Sequence, residues 1–166
     1  MTRRWGVAVV LTAAVLLGAR RSPAATATTA SSTVGLEGGF RVSHDETGGR
    51  GFGVGVSADR QLSELWRGSV RLSFLWLGAR QRGTVLSVPL QVGAAVQLGP
   101  YVWLGAELGP TVWSLDGSGA LGLSIEPMLG VRISRLELRW GGNLLFSASG
   151  SLFVSILAVG WRFSLE

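Results

Sequence analysis

The sequence predicts an all-β protein, an eight-stranded antiparallel transmembrane β-barrel, on three observations. Apolar and polar residues alternate along much of the chain, most clearly from Trp66 to Trp76, where Trp66, Val70, Leu72, Phe74 and Trp76 share one face and Arg67, Ser69, Arg71 and Ser73 the other. Charge is too sparse for a water-facing shell: 15% of residues are charged, none is lysine, and 25 are glycine, whereas a soluble surface carries roughly a quarter or more charged residues. Turn residues cut the chain into eight segments of strand length.

Taken in order, the segments are 34–42, 51–58, 66–76, 84–98, 101–113, 120–133, 136–146 and 152–165, each with a one-sided apolar row. In the first, Val34, Leu36, Phe40 and Val42 oppose Glu37 and Arg41; in the last, Phe153, Leu157, Val159, Trp161, Phe163 and Leu165 oppose Arg162 and Ser164. The fifth puts Trp103 and Trp113 on the polar face unless a bulge shifts the parity. Trp66 and Trp76 stand on one face, roughly 25 Å apart along a barrel axis at the usual rise and tilt, which matches the height of a lipid-facing band. The connections are expected to alternate between longer outer loops (43–50, 78–83, 114–119, 147–151) and shorter inner turns (99–100, 134–135), although the inner turn 59–65 is longer than that pattern wants. The uncharged run 83–106 is long enough for a membrane helix, but Pro89, Gly93 and Gly99-Pro100 break helices, and Ser87, Gln91 and Gln97 recur at even spacing.

Residues 1–27 read as a secretory signal peptide and its cleavage region: Arg3 and Arg4 precede an apolar core at 6–18, and small residues follow at 23–27. Residues 28–33 read as a flexible lead-in, and 34–166 as the barrel. The pI of about 11.4 is not a nucleic-acid signature. Four arginines (Arg3, Arg4, Arg20 and Arg21) lie in the segment expected to be cleaved, which leaves a nearly neutral chain, so no nucleic-acid partner is implied. The absence of cysteine excludes a disulfide framework, a thiolate metal site and a lipidated anchor.

Alternation alone does not say which face meets solvent, because a soluble ligand-binding barrel shows the same period turned inside out. The sparse charge and the small residues of the polar face favour an apolar exterior and a narrow lumen. On that reading Glu37, Arg41, Arg67, Arg71, Glu107, Glu126, Arg132, Glu137, Arg139 and Arg162 all point inward and form a network of ion pairs and waters. The network is expected to plug the lumen; an ion path or narrow pore is the alternative. Trp66, Trp76, Trp161 and Phe163 are the expected lipid-interface aromatics.

The signal-like start, the strand count and the closing Trp161-Arg162-Phe163-Ser164-Leu165 resemble the small outer-membrane barrel superfamily, the group that includes the membrane domain of outer membrane protein A. The resemblance spans about 34–165. It implies residence in the outer membrane of a Gram-negative bacterium, outer-membrane lipids as surroundings, and insertion by the barrel-assembly machinery. Members usually end on an aromatic residue, whereas here Leu165 and Glu166 follow Phe163.

Some small outer-membrane barrels act on lipid A from the outer rim, which directs attention to His44, the one histidine, in Ser43-His44-Asp45-Glu46. Neither Ser118 nor Ser147 is placed beside it by the sequence, so His44 is expected to be a solvated loop residue and no enzyme activity is expected. Asp45 and Glu46 are adjacent acids on a glycine-rich loop, and no metal or cofactor is assigned to them. Gly51-Phe52-Gly53-Val54-Gly55 lacks the helix and acidic residue of a nucleotide loop. The expected role is therefore structural or interactive.

Overall fold

The computed structural model describes residues 31–44, 49–79, 83–115, 117–148 and 150–165. The expected signal peptide and the first half of the lead-in (28–30) lie outside these residues, as do Asp45 and Glu46. Eight strands follow in chain order: β1 (Ser32–Ser43), β2 (Arg50–Gln61), β3 (Trp66–Ala79), β4 (Gly83–Gln97), β5 (Val102–Leu115), β6 (Ser118–Ile133), β7 (Leu136–Ser147) and β8 (Gly150–Leu165). Each pairs antiparallel with its sequence neighbours, and β1 pairs with β8 from Ser32↔Leu165 to Ser43↔Val154, which closes the barrel. Closure satisfies the backbone without a free sheet edge, the condition for crossing lipid as strands. No helix among the described residues is long and apolar enough to cross a membrane, and the uncharged run forms β4 and the start of β5 instead.

The outward rows form an apolar wall. Leu36, Phe40, Val54, Leu72, Phe74, Trp76, Leu90, Val112, Leu121, Trp140, Leu157, Val159 and Trp161 are exposed, while Arg41, Arg71, Glu107, Glu126, Glu137, Arg139 and Arg162 are buried. Arg71 is 2% exposed and its neighbour Leu72 47%, so facing is decided residue by residue. This excludes the inside-out soluble barrel, whose apolar row would be the covered one.

Three differences from expectation concern the strand ends. β1 begins at Ser32, so Ser32 and Thr33 belong to the wall and not to a lead-in. β2 continues to Gln61, which shrinks the turn expected at 59–65 and turns Asp59 into the lumen. The loop asymmetry is weaker than expected, because the strands run on: β3 reaches Ala79 and β4 starts at Gly83, β5 reaches Leu115 and β6 starts at Ser118, and β7 reaches Ser147 and β8 starts at Gly150. Gly117, between β5 and β6, takes φ +85°, a conformation open to glycine.

Proline breaks the hydrogen-bond ladder locally, since it offers no N–H. The β6–β7 register lapses between Ile125↔Leu144 and Met128↔Gly141, around Pro127. The β4–β5 register lapses in the same way between Pro89↔Thr111 and Val92↔Leu108, next to Pro110.

Candidate functional site: an ion-paired lumen

The inward row of each strand contributes to a lumen that is stratified along the barrel axis. At the end where β1 begins and β8 finishes, Glu137 of β7 is the hub. Arg162 of β8 donates to Glu137 Oε1 at 2.5 Å and to Ser57 Oγ at 2.5 Å, and also to Asp59. Arg132 Nε donates to Glu137 Oε2 at 2.7 Å, and its Nη2 pairs with the same carboxylate. Arg67 Nη1 lies 3.7 Å from Glu137 Oε2, and the Arg67 Cζ lies over the Trp103 ring, 4.7 Å from its centroid. Gly130 makes this stacking possible, since a Cβ there would overlap the Trp103 indole.

The middle layer is a second lattice. Arg71 approaches Glu107 at 3.2 Å, Glu37 at 3.7 Å and Glu126 at 3.7 Å. Arg139 Nη2 lies 2.7 Å from Glu37 and 3.1 Å from Glu126. Neutral donors complete the carboxylate shells: Ser69 Oγ donates to Glu107 at 2.7 Å and Asn143 Nδ2 to Glu126 at 2.9 Å. Gln91 and Ser124 extend the chain of hydrogen bonds across β4, β6 and β7. Low dielectric makes such groups costly unless paired, and here each carboxylate faces more than one donor. Arg41 is also buried, donating to the Phe40 carbonyl at 3.2 Å, and makes no ion pair among the described residues. A cavity of about 10 Å³ between the layers, lined by Asp59, Arg67, Arg71, Trp103 and Glu107, has room for about one water.

Toward the end carrying the 44–49 loop the lumen becomes apolar. Leu77, Val85, Leu145, Leu152 and Val154 pack together, with Trp113 against them. Parity on the inward rows was the sequence signal for this plug, but the expectation of small and polar inward residues passed over it. Trp103 and Trp113 keep the inward parity without a bulge: the first stacks on Arg67 and the second joins the plug. Trp76, Trp161 and Phe163 are exposed on the outer wall, and Trp66 is half-buried on the same face.

His44 departs from its expected isolation. It follows β1 directly, on the outward parity, and its Nε2 lies 2.7 Å from Ser155 Oγ of β8. The expectation considered serines on loops; the partner is a wall serine brought alongside by barrel closure, where Val42 pairs with Ser155.

An apolar exterior around a charged, sealed interior defines a transmembrane β-barrel with a plugged lumen. No protein-family model matches the chain, and no curated protein does. Its fold is similar to that of Ail, the Yersinia pestis outer membrane protein, solved in a phospholipid nanodisc (14% identity, TM-score 0.58, covering 81% of this chain and 100% of that one). It is also similar to Neisserial surface protein A (16% identity, TM-score 0.55, 83% and 100% covered), and to the outer membrane enzyme PagL (12% identity, TM-score 0.51, 79% and 98% covered). At these identities the likeness is one of fold.

Proposed function

We propose that the chain is an outer-membrane barrel with a structural or interaction role, held by its apolar wall and closed to solute flow. The observation that carries this reading is the doubly sealed lumen: two lattices of ion pairs lie at and below the middle of the barrel, and the plug of Leu77, Val85, Leu145, Leu152 and Val154 lies above them. Outer-membrane lipids are then the solvent of the wall, with Trp66, Trp76, Trp161 and Phe163 near its two edges as interface anchors. Insertion by the barrel-assembly machinery belongs to the same proposal. Because β4, β6 and β8 each begin within four residues of the strand before them, a partner meets the wall rather than an array of long loops.

Two measurements test this. Protein extracted from an outer-membrane fraction is expected to migrate differently on SDS gels before and after boiling; a soluble protein with no shift overturns the reading. Reconstituted into planar bilayers, it is expected to be electrically silent, and steady single-channel currents lost on substitution of Arg71 would establish a pore instead.

A further inference from the structure

We propose that Ser155 and His44 form a nucleophile–base pair on the outer wall, acting on the acyl ester of a membrane lipid. The lipid substrate rests on the membrane placement of the wall proposed above, while the pair itself rests on a break in the wall's apolar pattern. Between Phe153 and Leu165 the outward row of β8 reads Phe153, Ser155, Leu157, Val159, Trp161, Phe163, Leu165, and Ser155 is its one hydroxyl. A lone hydroxyl in an otherwise apolar outward row is unfavourable where lipid reaches it unless it is hydrogen-bonded. The bond it makes is to an imidazole, His44 Nε2, at 2.7 Å, within the range needed for proton transfer.

Both partners are held in place. The His44 backbone N–H donates to the Phe153 carbonyl at 3.0 Å, and the imidazole stacks on the Phe153 ring at 5.5 Å between centroids and 29° between planes. Phe153 in turn needs Gly142 beneath it, where a Cβ would run into the ring. With the proton of the neutral imidazole on Nδ1, the Ser155 hydroxyl donates to Nε2, the arrangement a general base requires.

A place for substrate adjoins the hydroxyl. Ser155 lines an external groove of about 310 Å³ together with Pro127, Leu129, Trp140, Gly142 and Phe153. Its lining is apolar apart from the serine, and it opens on the wall and not on the lumen, so an acyl chain running alongside the barrel fits it. The position of His44 just past the last residue of β1 puts the pair near the loop end, where water has access.

The chemistry balances with water as the only co-reactant. Ser155 Oγ bonds to the ester carbonyl carbon while its proton passes to His44 Nε2; the alkoxy C–O bond then breaks, and the same proton leaves on the alcohol. Water attacks the acyl-serine, gives a proton to His44, and releases the fatty acid as Ser155 recovers its hydrogen.

The test uses the folded full-length protein in detergent micelles with p-nitrophenyl palmitate as substrate and a long-chain alkyl fluorophosphonate as serine-directed label. Release of p-nitrophenol is expected to fall about 100-fold or more in both Ser155→Ala and His44→Gln, each still heat-modifiable. The label on the wild-type protein is expected on the peptide containing Ser155. A wild-type protein that neither takes the label at Ser155 nor turns over the ester overturns the proposal, and so does turnover that survives Ser155→Ala. Because the labelling reads the wild-type chain, a variant that fails to fold does not decide the outcome.

Discussion

Replacing Glu137 with glutamine is expected to destabilise the folded barrel by about 3–5 kcal/mol, the usual cost of removing one partner of a buried ion pair. Glu137 is 2% exposed and is the carboxylate shared by Arg162, Arg132 and Arg67. Glutamine keeps the size of the side chain and removes its charge, leaving the three guanidinium groups with Asp59 alone nearby. The measurement is the urea midpoint of unfolding in lipid vesicles, followed by tryptophan fluorescence, with Glu64→Gln in the exposed 62–65 turn as the control expected to shift stability by less than about 0.5 kcal/mol. Combining Glu137→Leu with Arg162→Met is expected to cost less than Glu137→Leu alone, because the double change removes one of the stranded charges. Equal midpoints for wild type and Glu137→Gln would show that the lower lattice does not hold the barrel together.

Leu72→Arg is expected to destabilise by about 2–4 kcal/mol, since it places a charge on the lipid face midway along a strand. Its chain neighbour is already an arginine: Arg71 is buried among Glu37, Glu107 and Glu126, whereas Leu72 points into the apolar wall. Leu72→Val, which keeps the wall apolar, is expected to cost less than about 1.5 kcal/mol. The same unfolding assay in vesicles ranks the two variants, and a Leu72→Arg barrel as stable as the Leu72→Val one would contradict the facing of β3.

The strands were readable because the side-chain period of a strand is two and one solvent here is hydrocarbon. From Trp66 to Trp76 every second residue must be apolar, and that constraint acts on each strand without reference to its partners. Inward parity was equally local, which is why Glu37, Arg71, Glu126 and Arg139 could be assigned to the lumen before any pairing was known. Strand ends were harder to place. Asp59 looks like a turn former, and only the continuation of β2 to Gln61, paired with Arg67, shows that it faces inward.

Alternation and composition by themselves determined a closed strand barrel with an apolar outside and arginines and carboxylates inside. Tertiary structure decided what lies at a common height along the axis, because height depends on the stagger between neighbouring strands, and no single strand encodes it. Register gathers Leu77, Val85, Leu145, Leu152 and Val154 into one plug and separates them from the charged layers. Closure has the longest reach: the pairing of β1 with β8 sets His44 beside Ser155 across 111 residues of chain, a contact that depends on the last strand returning to the first.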